Sequence, residues 1–222
     1  MQNFRPVITA LQTVGAALCV LLAACSAEPD VDPVPPGATV LAFGDSITFG
    51  TGAAPGESYP EQLAGLSGWK VVNAGIPGDT AQAAGKRLPG ALEQHQPALV
   101  ILELGGNDFL RRQPEAAVKE DLRTLIRQVQ TRSIPLVLVA VPRFSVLRAS
   151  VGALDDAAIY RELAEEERVY LVEDVLARIL SNESLRADPI HPNAAGYRQL
   201  AEQLYAALLA KRQGSISSKL RR

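Results

Sequence analysis

Reactive side chains are scarce in this chain. It has two cysteines, two histidines, one methionine and one tryptophan, and aromatic residues make up only 5% of it. Both cysteines, Cys19 and Cys25, lie near the N-terminus. That placement excludes a disulfide within the remainder and leaves no zinc-type Cys/His spacing. A formal net charge of −2 provides no basic face, and nucleic acid is not expected as a partner. No internal repeat is present. With so few histidines, a general base has only two imidazole candidates, His95 and His191.

At 222 residues, of which 47% are hydrophobic, the length suits one domain once the N-terminus is set aside. Arg5 precedes a mostly apolar run from Val7 to Ala24 with the length and flank of a signal peptide. Thr9, Gln12 and Thr13 weigh against an uncleaved membrane anchor, since each polar group is costly in hydrocarbon. The run ends Leu22-Ala23-Ala24-Cys25, which resembles a bacterial lipoprotein cleavage box. That resemblance implies removal of residues 1–24, lipid on Cys25 and attachment to a membrane; plain secretion and an uncleaved anchor are the alternatives. Ser26, in place of aspartate, favours the outer membrane of a Gram-negative envelope, on its periplasmic side. Residues 25–37 then form a Pro- and acid-rich tether, whose dozen residues at ~3.1 Å each span on the order of 35 Å.

Downstream, apolar β-type runs alternate with helical patterns. Strands are expected at Thr39–Phe43, Lys70–Asn73, Leu99–Leu104, Leu136–Val141 and Tyr170–Val172. Helices are expected at Ser58–Leu66, Thr80–His95, Glu115–Thr131, Asp155–Arg168 and Asn193–Arg212, the last capped by Asn193. Residues 38–212 therefore read as an α/β domain with a parallel sheet covered on both faces. Residues 213–222 read as a flexible tail. In open sheets of this kind ligands bind at the carboxyl ends of the strands, and every motif of chemical interest sits at such an end or in the loop before the last helix.

Ser46, in Gly44-Asp45-Ser46-Ile47-Thr48, follows the first strand, where a new helix exposes backbone N–H groups. Taken alone, it could simply cap that helix. Asp188-Pro189-Ile190-His191-Pro192 supplies what a serine nucleophile needs: His191 as base and Asp188 to orient it. The flanking prolines restrict the loop. His95 sits at a helix end on the amino side of the sheet and reads as a solvated helix-end residue. Donors for an oxyanion are the Ser46 N–H, the Gly78 N–H in Gly75-Ile76-Pro77-Gly78-Asp79-Thr80, and the Asn107 amide in Gly105-Gly106-Asn107-Asp108. Ile76, Phe109, Leu110, Phe144, Val146 and Leu147 are candidates for an apolar acyl groove, or for core packing.

Four blocks in this order, GDSIT, NAGIPGDT, LGGND and DPIHP, resemble the SGNH hydrolases of the GDSL esterase/lipase family, and the likeness runs from about Thr39 to Ala210. The stretch from Val71 through Arg111 is especially similar to the bacterial thioesterase I/lysophospholipase/arylesterase branch. Pro189 departs from the glycine that close relatives often carry there. The resemblance implies a three-layer α/β/α, flavodoxin-like sandwich with a five-stranded parallel sheet, without metal or cofactor. It implies Ser46 as nucleophile, His191 as base, Asp188 as its orienter, and Ser46, Gly78 and Asn107 as oxyanion donors. The expected activity is hydrolysis of aryl, short-to-medium acyl, lysophospholipid or thioester substrates by a monomer. A carbohydrate O-acetylesterase acting on envelope polysaccharide is the alternative, and an inactive binding lipoprotein a third reading.

Overall fold

The computed structural model describes residues 34–143 and 154–219. The signal-like segment, Cys25 and most of the tether lie outside the described residues, as do Phe144, Val146 and Leu147. No helix among the described residues is long and apolar enough to cross a membrane.

Five strands form one parallel sheet in the order β2-β1-β3-β4-β5: β1 (Thr39–Gly44), β2 (Lys70–Gly75), β3 (Leu99–Glu103), β4 (Leu136–Val139) and β5 (Tyr170–Val172). The reason is legible in composition. Strands such as Leu99–Glu103 are buried along their whole length, and a parallel strand with helices on both faces needs a continuous apolar run. Between strands lie α1 (Ser46–Phe49), α2 (Tyr59–Ser67), α3 (Ala81–His95), α4 (Gly106–Leu110), α5 (Glu115–Gln130), α6 (Ile159–Glu167), α7 (Val175–Ser181) and α8 (Ala194–Lys219). Helices α2 and α7 pack on α8, while α3 and α6 pack on α5. Right-handed crossovers through that strand order put these two groups on opposite faces. Val118, Leu122, Leu125, Ile126 and Val129 form the buried stripe of α5, as its period predicts.

The sheet order reverses at β1, which has β2 on one side and β3 on the other. Such a switch point opens a crevice at the carboxyl edge. Register places Gly44 beside both Gly75 and Glu103, so the loops carrying Ser46, Gly78 and Asn107 leave the sheet side by side.

Several boundaries differ from expectation, the larger differences having clear causes. Strand β2 runs on to Gly75 rather than stopping at Asn73, since Ala74 and Gly75 still pair with Phe43 and Gly44. Strand β4 stops at Val139, and α6 starts at Ile159 rather than Asp155, because the chain there pairs with itself: Arg143 N donates to Asp155 O and Ala157 N to Val141 O. Helix α7 has no counterpart in the sequence reading; Val175, Leu176, Ala177, Ile179 and Leu180 are all buried, so no amphipathic period marks it. Helix α8 continues to Lys219, past Arg212, into residues expected to be a tail; elongating an existing helix is far easier than starting one. Asn193 does cap it, accepting from Gly196 N at 3.0 Å.

Packing at the switch point is tight. A Cβ at Gly44 would lie 2.0 Å from Thr48 Oγ1 and 2.4 Å from Glu103 O. Gly44→Ala should therefore lower the unfolding free energy in urea by about 1–3 kcal/mol; an unchanged transition midpoint would show that the loop after β1 yields freely.

Candidate active site

Asp45 accepts a hydrogen bond from Ile47 N at 3.0 Å and so caps α1, of which Ser46 is the first residue. The cap turns the chain sharply out of β1 and leaves the Ser46 side chain partly exposed above the sheet edge. Across the cleft, the loop before α8 is braced from within. Asn193 Nδ2 donates to Ser184 O at 2.9 Å, Ala187 N donates to His191 O at 2.9 Å, and Arg186 bridges to Pro192. The two loops also touch: a Cβ at Gly52, whose φ is +97°, would lie 2.6 Å from Pro192 O. Only glycine adopts that backbone readily and admits so close an approach.

These constraints bring the three predicted residues into line. His191 Nε2 lies 3.0 Å from Ser46 Oγ, and His191 Nδ1 lies 2.7 Å from Asp188 Oδ2. The second carboxylate oxygen, Oδ1, accepts from Ile190 N at 2.8 Å and His191 N at 2.9 Å. Partial burial by itself would raise the Asp188 pKa; the bond to His191 and the backbone N–H donors outweigh it and hold the carboxyl below its ordinary value. Asp188 is thus an anion at neutral pH, which fixes the proton on His191 Nδ1 and leaves Nε2 free to accept from the serine.

The oxyanion candidates surround the same point. Asn107 Nδ2 donates one hydrogen to Asp45 Oδ2 at 3.0 Å, and the amide has a second to offer. Gly78 takes φ +81°, and its carbonyl is held by Arg111 Nη2 at 2.9 Å. Ser46, His191, Gly78 and Asn107 together border a cleft of about 220 Å³, with Ile47, Pro77, Leu110 and Ile190 as its apolar wall. Of the residues expected along an acyl group, Leu110 is in that wall. Ile76 is 49% exposed outside it. Phe109 instead turns into the core, edge-on to Tyr160 at 6.5 Å between ring centroids, because α4 is a single short helix whose opposite side faces the protein. His95 ends α3 away from the cleft. Among the described residues no His/Cys/Asp/Glu cluster is placed to hold a metal ion.

Sequence reasoning missed the support beneath the loops. Asp45 and Glu103 are buried at 2% and 0% exposure. Burial pushes Asp45 up to about 6, against the bonds from Ile47 and Asn107. Burial, and then the nearby Asp45, push Glu103 well above the glutamate range. Glu103 Oε2 accepts from Thr48 Oγ1 at 2.8 Å, while Oε1 has no partner among the described residues. A neutral carboxyl suits that setting. The available signal was a charged residue ending an otherwise apolar strand.

A carboxylate–imidazole pair on a strand-end serine, beside preorganised donors, defines a serine hydrolase by its geometry. Comparison with known proteins agrees. Residues 42–199 match the GDSL-like lipase/acylhydrolase family. Thioesterase 1/protease 1/lysophospholipase L1 of Escherichia coli is 35% identical over 161 residues, covering 70% of this chain and 76% of that protein. An arylesterase of Vibrio mimicus is 31% identical over 171 residues, covering 73% of this chain and 84% of that one. The crystal structure of AlinE4, an SGNH-hydrolase family esterase, superposes with TM-score 0.60 at 30% identity, covering 80% of this chain and 98% of that chain. The chain belongs to the GDSL-like lipase/acylhydrolase family, and it is a serine ester hydrolase.

The buried carboxyl makes a sign-definite prediction. The unfolded chain releases the Glu103 proton near the ordinary value of 4.5, whereas the folded protein retains it well above. Its stabilising contribution is therefore full below pH 4.5 and declines as pH rises toward the folded-state pKa. Glu103→Gln keeps the shape and cannot ionise. Denaturation curves at stepped pH should show the variant gaining on wild type from about pH 4.5 upward, whereas parallel profiles would mean Glu103 ionises normally.

Proposed function

We propose that Ser46 attacks the ester carbonyl while His191 Nε2 takes its proton, with Asp188 holding the imidazole in the required tautomer. The negative charge that develops on the carbonyl oxygen is met by the Ser46 and Gly78 N–H groups and the free hydrogen of the Asn107 amide. Protonated His191 then delivers its proton to the departing alcohol, phenol or thiol. Water, activated by the same histidine, releases the acid from Ser46. The observation that carries this reading is the continuous line Asp188–His191–Ser46, closed by contacts of 2.7 and 3.0 Å.

Substrate class follows from the wall of the cleft. Ile47, Pro77, Leu110 and Ile190 offer a short apolar surface beside the oxyanion site, which suits aryl esters and short-to-medium acyl chains. Lysophospholipids and acyl thioesters fit the same chemistry, as the name of the Escherichia coli relative suggests by analogy. The sequence Leu22-Ala23-Ala24-Cys25 and the proline-rich stretch after it support a lipid anchor on Cys25 and a position on the periplasmic side of the outer membrane. Each chain carries a whole set of site residues, in keeping with a monomeric enzyme.

Hydrolysis of p-nitrophenyl esters from acetate to palmitate is the test. Activity should peak at butyrate to octanoate, whereas an acetate-only profile would replace this substrate class with an O-acetylesterase. Ser46→Ala should abolish turnover without altering the fold. Asp188→Asn should reduce kcat by on the order of 10⁴ with little change in KM; near-normal turnover in either variant would remove that residue from the mechanism.

A further inference from the structure

Arg87, on α3, makes a set of contacts that none of the catalytic roles above explains. Its Nη2 donates to Gly44 O at 2.8 Å, its Nη1 to Ala74 O at 2.9 Å, and its Nε to Asp79 Oδ2 at 2.7 Å. The guanidinium carbon sits 3.8 Å from the centre of the Phe43 ring, a cation–π contact that fixes the plane of the group. Each partner stands at a junction. Gly44 is the last residue of β1, two before Ser46. Ala74 pairs with Phe43 near the end of β2. Asp79 immediately follows Gly78. One rigid fork therefore joins the two strand ends to the loop that carries the second backbone donor. The ion pair is sheltered, with the Asp79 side chain 9% exposed, so water competes with it less than with a surface pair.

We propose that Arg87 is a positioning residue for ester hydrolysis, holding the Ser46 and Gly78 N–H groups at the separation the oxyanion requires. It touches no reacting atom. The inference rests on the reading of Ser46 and Gly78 as oxyanion donors. Such donors work only within a narrow range, about 2.7–3.1 Å from the developing charge, and a misplacement near 1 Å costs on the order of 100-fold in rate. Nothing in the bonds of Arg87 reaches the apolar wall that binds the substrate. Its loss should thus appear in kcat rather than KM. Lysine cannot substitute, because one ammonium on a flexible stem does not reproduce three donors in a fixed plane.

The test compares Arg87→Ala, Arg87→Lys and Asp79→Asn with wild type on p-nitrophenyl butyrate, with rates normalised to folded protein from thermal melts. Both Arg87 variants should lose about 10- to 100-fold in kcat, with KM within about twofold of wild type. Asp79→Asn, which keeps the shape but weakens the charge-assisted bond, should lose less. Added guanidinium ion should restore part of the Arg87→Ala rate, a rescue that a purely structural strap would not show, and should leave Arg87→Lys unrescued. Unchanged kcat per folded molecule in Arg87→Lys and Asp79→Asn would overturn the proposal. So would a rise in KM at constant kcat, or a folded Arg87→Ala that guanidinium does not rescue. If Arg87→Ala fails to fold, the other two variants decide by the same kcat and KM criteria. A parallel Ser46→Ala sample separates the two layers: turnover surviving there refutes the serine reading, while its loss beside unaffected Arg87 variants refutes only the role of Arg87.

Discussion

The hydrogen bond between Ser46 Oγ and His191 Nε2 spans 145 positions in sequence, and most of the architecture serves to close it. Neither partner can be placed by its own loop alone. Ser46 is aimed by the end of β1 and the Asp45 cap. His191 is aimed by a loop that bonds back on itself before α8 begins. The sheet fixes one end of the span and α8, packed on α2, fixes the other. A serine and a histidine gain nothing from proximity on average; they need a heavy-atom distance near 3 Å maintained over many turnovers. A rigid parallel sheet with its switch point under the site provides that more readily than loops would.

Around this bond the protein shifts the proton affinities of its carboxyl groups in opposite directions. Asp188, half open to solvent and surrounded by donors, is held ionised. Asp45 and Glu103, sealed under the Ser46 loop, have their proton affinity raised by burial. The same functional group thus serves as a fixed anion on one side of the serine and as structural support on the other. Environment sets the role. Asp45 is the more economical of the buried pair, since a single side chain caps the helix that starts at Ser46 and also orients the Asn107 amide. Asp108 extends the arrangement by accepting from Ala81 N at 3.0 Å, which binds the Asn107 loop to the start of α3.

The parallel sheet and the residues that line up as Asp188–His191–Ser46 were readable from the sequence because both leave local marks. Residues 99–102 are a continuous apolar run, and Gly-Asp-Ser followed far downstream by Asp-Pro-Ile-His-Pro is an uncommon pairing in a chain with two histidines. What escaped detection is what depends on distant partners. Helix α7 is seven residues long and nearly all apolar, with Arg178 its one exposed side chain, too short a run for a period to be detected. The late start of α6 reflects a backbone pairing between residues 141–143 and 155–157, invisible to a propensity argument. Phe109 has the character of a groove residue, and only the orientation of α4 sends it against Tyr160. Arg87 looks like an ordinary helical arginine until Gly44, Ala74 and Asp79 are seen around its guanidinium.

The central claim is that one serine among many is made nucleophilic by His191. Treating the protein with a fluorophosphonate and locating the adduct by peptide mass spectrometry tests it most directly, because the reagent reports activation and not substrate preference. The account predicts a single adduct on Ser46, abolished when His191 is replaced by Ala. Labelling at another serine, or labelling of Ser46 that survives loss of His191, would contradict it.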